Sequence, residues 1–256
     1  MEIMSKTASE LKHSAIVYTY PCGSVDIIHS SSGFMESGWE AVGAKPQPPA
    51  DRRSREAGKI AEGKDLERSM RRARAKLRRL ALANEFRWFV TLTLDPQKID
   101  RNDGKAVAAA LGRWADNMVR RKGLKYVLVP ELHKKGGIHF HGFFNDAVQV
   151  VDSGHQDAAG HPVFNLPEWT LGFTTAIELY GDYPSAVGYV TKYIGKQGLR
   201  PMGRWYYSGG RLAEPTKLYA DLDIREMEDC GKAVEFHIPG AKLTVIHTKM
   251  EVNNND

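Results

Sequence analysis

Two runs decide the fold: KYVLVPELH at residues 125–133 and GIHFHGFFN at residues 137–145. Both are rich in the aromatic and aliphatic residues that suit β-strands. Only Lys134-Lys135-Gly136 separates them. A link so short that contains a glycine predicts that the two strands form an antiparallel hairpin.

The neighbouring segments extend this sheet and predict helices beside it. RWFVTLTL at 87–94 and GFTTAIELY at 172–180 are typical of further strands. Apolar residues recur at helical spacing over 65–84, 104–122 and 182–196. The expected fold class is therefore α+β, with an antiparallel sheet flanked by helices.

Composition excludes several classes of protein. The chain has 256 residues, a net charge of +5 and two cysteines, without a CxxC pair. This excludes a disulfide framework and a cysteine-rich zinc module. Because no apolar stretch approaches the roughly 18 residues that a membrane helix needs, we expect a cytoplasmic protein that does not contact the membrane.

The chain is expected to have three parts. Residues 1–60 carry one strand-like run and a Pro-rich stretch, and are predicted to form a loosely held arm. Residues 61–200 form the core. Residues 201–256 form a basic, β-rich extension that packs on that core.

Positive charge is concentrated in one segment. Residues 51–80 contain twelve Lys or Arg against five Asp or Glu, a larger excess than that of the whole chain. The helix predicted there is either a solvated helix packed by its leucines or a surface that contacts phosphates.

His139 and His141 are the first candidate functional residues. Residues two apart in a strand face the same side, so both imidazoles can bind one cation. An ordinary half-buried strand with alternating Phe and His remains an alternative. Glu131 on the adjoining strand would complete a site for Mg²⁺ or Mn²⁺. It shares the histidine face only if the hairpin link has an odd number of residues, which we predict.

Tyr189, Lys192, Tyr193 and Lys196 recur at intervals of three and four, so a helix displays them as one stripe. A phenol beside a cation can act as a nucleophile. An ordinary amphipathic helix has the same pattern.

Three motifs, taken together, resemble the rolling-circle replication initiators of the HUH endonuclease superfamily. They are TLT at 91–93, GIHFHG at 137–142 and YVTKY at 189–193. The resemblance spans about 86–196, and the second tyrosine is similar to that of phage and plasmid initiators with two tyrosines.

This resemblance implies a five-stranded antiparallel sheet of the ferredoxin/RRM-like HUH fold. His139, His141 and Glu131 would bind Mg²⁺ or Mn²⁺. Tyr189 and Tyr193 would attack single-stranded DNA at a replication origin, which leaves a 5′-phosphotyrosine and a free 3′-OH. The implied catalytic lysine of the YxxK pattern is Lys192.

The resemblance also gives the basic surfaces a role. We expect DNA contacts from Arg71, Arg72, Arg78, Arg79, Lys196, Arg204 and Trp205. No GxxxxGK[ST] motif occurs, so strand separation would need supercoiling or a host helicase, and a polymerase would extend the 3′-OH. The alternatives are an HUH-type transposase or relaxase, and a noncatalytic nucleic-acid-binding domain with a ferredoxin-like sheet.

Overall fold

The computed structural model describes residues 12–35, 63–133, 136–196, 198–227, 231–238 and 241–249. The elements, in chain order, are β1 (Lys12–Thr19), β2 (Ser24–Met35), α1 (Gly63–Leu82), β3 (Trp88–Leu94), α2 (Gly104–Lys122), β4 (Tyr126–Leu132), β5 (Ile138–Phe144), β6 (Val151–Gln156), β7 (Pro162–Asn165), β8 (Gly172–Glu178), α3 (Tyr183–Thr191), β9 (Tyr207–Gly209), β10 (Thr216–Ala220), α4 (Ile224–Met227), β11 (Lys232–Ile238) and β12 (Ala241–Lys249).

The chain divides into two compact units. The terminal unit comprises Met1–Thr19, Gly23–Asp65 and Thr216–Asp256, and the central unit comprises Tyr20–Cys22 and Leu66–Pro215. Among the described residues, no helix combines the length and the apolar character that crossing a membrane requires.

The terminal unit contains a five-stranded antiparallel sheet in the order β10-β1-β2-β12-β11. The loosely held arm predicted for residues 1–60 differs from this arrangement, because β1 and β2 are its middle strands. Likewise, β10, β11 and β12 of the predicted extension pair here. Ala15, Val25, Ile27 and Ile246 form its buried core, which exists only once remote segments pair. Residues 1–11 and 36–62, including the Pro-rich stretch, lie outside the described residues.

The central unit contains a seven-stranded sheet in the order β6-β7-β8-β3-β5-β4-β9. Every neighbouring pair that has a defined register is antiparallel. The α+β class and the antiparallel sheets are thus confirmed, whereas the predicted number of five strands is wrong for this sheet. Two short strands of the polar segment after β5 and the three-residue β9 extend its edges. Such short strands carry little periodicity from which they could be predicted.

Helix α2 covers one face of the central sheet. It begins after Asp103, whose carboxylate accepts the N–H groups of Lys105 and Ala106, and ends at Gly123 with φ of 72°. An aspartate N-cap and a left-handed glycine C-cap are the usual boundaries of a helix. The buried side chains between helix and sheet include Val90, Leu92, Leu94, Leu111, Ala115, Leu128, Phe140 and Phe144.

Helices α1 and α3 are joined to each other and serve the opposite face. The Tyr183 hydroxyl, at the start of α3, lies 2.8 Å from the carbonyl of Ala81 near the end of α1. Arg74 of α1 donates two hydrogen bonds, of 3.1 and 2.7 Å, to the carbonyl of Ile194. These bonds place the segment after α3 against α1.

Candidate active site

Strand register brings the predicted acidic and histidine residues together. Glu131 of β4 lies directly opposite His139 of β5, and Thr93 of β3 lies opposite His139 on the other side. Phe140, between the two histidines, is fully buried in the α2 face. His139 and His141 therefore share the other face with Glu131, as the predicted odd link requires. The register prediction is confirmed.

Two threonines orient the imidazole rings. The hydroxyl of Thr91 lies 3.1 Å from Nδ1 of His141, and that of Thr93 lies 3.1 Å from Nδ1 of His139. Each bond engages Nδ1 and directs Nε2 away from the threonine. The sequence analysis gave these threonines no role, although their spacing of two matches that of the histidines.

Glu131 links the histidine pair to a lysine. Its Oε2 lies 2.9 Å from Nε2 of His141, and its Oε1 accepts a 2.8 Å bond from Nζ of Lys196. Its side chain is 16% exposed, so both contacts lie partly out of water. The hydrogen bond from Lys196 to Glu131 raises the lysine pKa. The ammonium group thus remains charged beside the carboxylate.

Burial lowers the pKa of both His139 and His141. Neutral imidazoles are the form that binds metal. Two imidazoles and a carboxylate form a donor set that suits a divalent ion. However, no group of three His, Cys, Asp or Glu side chains in the described parts of the chain is already arranged to hold one. The chemistry therefore fits Mg²⁺ or Mn²⁺ only if Glu131 exchanges its contacts with His141 and Lys196.

The two tyrosines lie over this face. The ring of Tyr193 stacks on His141, with centroids 4.1 Å apart and planes 15° from parallel. Its hydroxyl donates a 2.6 Å hydrogen bond to the Tyr189 oxygen. Tyr189 packs edge-on against Phe89 of β3 and is 51% exposed. Burial, followed by the bond to Tyr189, raises the pKa of Tyr193.

The chain after α3 differs from the predicted continuous helix. The α-helix ends at Thr191, and i→i+3 bonds such as Tyr193 N–H to Val190 O continue the turns. Gly195 has φ of 72°, and a Cβ there would overlap Sδ of Met70. Only glycine fits this position, and the turn brings Lys196 to Glu131.

Lys196 contacts the site where the resemblance implied Lys192. The ammonium group of Lys196 lies 5.1 Å from the Tyr193 ring centroid, besides its bond to Glu131. The side chain of Lys192 is exposed and forms no hydrogen bond or ion pair with another described residue. A catalytic role for Lys192 stays a prediction.

Arg101, which the sequence analysis missed, lies beside His139. Its carbonyl accepts the N–H of Ile138 at 2.9 Å. Its side chain crosses Gly137, where a Cβ would lie 2.5 Å from Cδ of Arg101. Its charge also helps to lower the pKa of His139, after burial and two neighbouring histidines. The guanidinium group pairs with no carboxylate among the described residues.

The predicted DNA contacts differ in their exposure. Arg71, Arg72, Lys196 and Arg204 are exposed, Arg78 and Arg79 are partly buried, and Trp205 is buried. The indole of Trp205 donates a 3.0 Å bond to Ser69 of α1, and the guanidinium carbon of Arg200 lies 5.4 Å from its ring centroid. The prediction that Trp205 is available for base stacking is wrong, because its ring packs within the central unit.

Residues 87–198 match a family model of replication-associated proteins, the one that groups the ORF2 and gene 2 proteins. The match covers less than half of the chain but includes every strand and helix that carries the histidines, Glu131 and the tyrosines. No curated protein and no solved structure shows a significant match. The family match supports a replication initiator family and, with it, a role in DNA replication.

Proposed function

We propose that this protein initiates rolling-circle replication by nicking and rejoining single-stranded DNA at a replication origin, through a 5′-phosphotyrosine intermediate. The observation that carries the proposal is the stack of Tyr193 on His141, which puts a pair of phenols over the His139, His141 and Glu131 face. A nucleophile beside candidate metal ligands is the arrangement that metal-assisted phosphodiester transfer requires.

In the nicking step, a tyrosine oxygen attacks the phosphorus atom and loses its proton. The bond between phosphorus and the 3′ oxygen breaks, and that oxygen takes up a proton. Rejoining is the reverse reaction, with a 3′-OH as the nucleophile. Because one phosphodiester bond replaces another, the exchange needs no ATP.

Tyr189 makes the first attack in this proposal. It is the more exposed phenol, and its oxygen accepts the hydrogen bond from Tyr193. The proton of Tyr193 is engaged in that bond, whereas the proton of Tyr189 is free to leave. Tyr193 then serves as the second nucleophile.

The site would also use Mg²⁺ or Mn²⁺ held by His139, His141 and Glu131. Such an ion, when bound, polarises a phosphoryl oxygen and offsets developing charge. Lys196 contributes a cation when Glu131 turns from it. Arg71 and Arg72 on the exposed side of α1 are proposed phosphate contacts.

The test uses a random pool of single-stranded oligonucleotides with Mn²⁺ or Mg²⁺. Covalent complexes are isolated on a denaturing gel, their DNA is sequenced, and the modified residue is identified by mass spectrometry. A 5′-phosphotyrosine at Tyr189 or Tyr193 is expected. DNA binding with no covalent complex under either metal would contradict nicking and favour the noncatalytic DNA-binding domain.

Thr93→Val should lower Mn²⁺ affinity by about ten- to a hundredfold, the usual effect of losing a hydrogen bond that orients a metal ligand. Valine keeps the shape but removes the hydroxyl that lies 3.1 Å from His139. Titration calorimetry with Mn²⁺ measures the change.

The matched control for this substitution is Thr175→Val. Thr175 is exposed on the same sheet face and forms no side-chain hydrogen bond with a described residue. Mn²⁺ affinity that is the same in Thr93→Val and Thr175→Val would disprove the orienting role.

Arg101→Ala should slow covalent complex formation by about ten- to a hundredfold, because a charged hydrogen-bond donor to the phosphate is lost. Arg101→Lys should restore part of the rate, since it keeps the charge but not the planar donors. Arg113→Ala is the control, because Arg113 is an exposed arginine of α2, on the other face. Equal rates for both alanine variants would remove Arg101 from the site.

A further inference from the structure

Phe173 is an exposed aromatic side chain on the face that carries the candidate active site. It belongs to β8 and is 66% exposed, more than any other large apolar side chain in the described residues. A single exposed apolar residue is ordinary on a protein surface. The position of Phe173 is not ordinary, because it continues the row of functional side chains.

The row runs across four neighbouring strands. Phe173 lies opposite Thr93, Thr93 lies opposite His139, and His139 lies opposite Glu131. Residues directly opposite in register point to the same face of an antiparallel sheet. Strands lie about 4.8 Å apart, so Phe173 is roughly 10 Å from His139 across the sheet.

The surface around Phe173 is open and uncharged. Thr175, the next residue of β8 on this face, is also exposed, whereas Ile177 beyond it is only partly so. The tyrosines contact the other end of the face, at Phe89 and His141. The exposed phenyl ring therefore borders the site on the side away from the tyrosines.

We propose that Phe173 stacks on a base of the single-stranded DNA, next to the nucleotide whose phosphate lies at His139 and His141. This inference rests on the proposed function and names the contact that sets the position of its substrate. A sheet face with an exposed aromatic ring suits single-stranded nucleic acid, because unpaired bases can lie flat on it. Every base has a π-face, so the contact does not select a sequence.

A stacking role predicts where a substitution acts. Phe173 touches a neighbouring base and not the reacting atoms, so it contributes equally to substrate and transition-state binding. Loss of such uniform binding raises KM and leaves kcat unchanged. A structural role in the site would lower kcat instead.

The affinity test uses fluorescein-labelled oligo(dT) and fluorescence anisotropy. Phe173→Ala should weaken binding about fivefold or more. Phe173→Trp keeps an aromatic face and should bind within about twofold of the original protein. Tyr180→Ala is the matched control, since Tyr180 is an exposed aromatic seven residues further along and should also be nearly neutral.

Covalent complex formation from the random pool is measured in parallel at saturating DNA. If the unsubstituted protein forms the complex and Phe173→Ala binds oligo(dT) as tightly as Tyr180→Ala, the stacking inference is overturned and the proposed function stands. If no complex forms but Phe173→Ala still weakens binding, the nicking function fails and the stacking contact stands. A lower kcat with unchanged affinity also overturns the inference.

Discussion

Tyr189→Phe is expected to lower covalent complex formation by roughly a thousandfold or more, because the substitution removes the attacking oxygen and little else. Tyr193→Phe should retain the first cleavage at a reduced rate, since it removes the hydrogen bond to Tyr189 but not that nucleophile. The double variant should form no complex. Denaturing gels with the selected oligonucleotide measure all three.

The control for the tyrosine variants is Tyr180→Phe. Tyr180 is an exposed phenol of the same unit that bonds Glu178 at 3.1 Å. Its loss should leave complex formation unchanged. If the double variant of Tyr189 and Tyr193 formed as much complex as the original protein, the nucleophile assignment would be wrong.

His139→Ala is expected to reduce covalent complex formation by roughly a hundredfold or more, because a metal ion supplies several kcal/mol of transition-state stabilisation. Mn²⁺ binding should fall in parallel, and EDTA should have the same effect on the unsubstituted protein. Glu131→Gln should weaken metal binding less, because the amide oxygen remains a possible ligand.

His155→Ala is the control for the histidine variant. His155 is exposed on β6, outside the row that carries His139. A His139→Ala protein that still binds Mn²⁺ and forms the complex at the original rate would exclude the proposed metal site. Loss of the complex with Mn²⁺ binding intact would instead assign His139 to substrate contact.

Local sequence was sufficient to predict the histidine face. The period of two in a strand puts His139 and His141 on one side, and the short link before Gly137 makes Glu131 the cross-strand partner of His139. Both inferences involve residues within one hairpin. No remote segment can change this parity without breaking the hairpin, and the structure confirms it.

The lysine assignment shows where such reasoning ends. Lys192 and Lys196 both fall on the predicted helical stripe, but the α-helix ends at Thr191. Gly195, packed against Met70 of α1, bends the chain so that Lys196 reaches Glu131. This choice depends on a residue more than a hundred positions away in the sequence, and spacing alone cannot reveal it.

Trp205 and the terminal strands illustrate the same limit. An aromatic residue in a basic segment is equally suited to stacking on bases and to packing on a helix, and only the contact with Ser69 distinguishes these. The strands β1 and β2 acquire a buried face only by pairing with β10 and β12, from the opposite end of the chain. Short-range periodicity determines which side of a strand or helix a residue occupies, and it was enough to identify the histidines, the acidic partner and the tyrosines. Long-range packing decides which elements meet, and it alone put Tyr193 on His141, Lys196 on Glu131 and Phe173 beside the site, because each of these contacts joins segments that are separate along the chain.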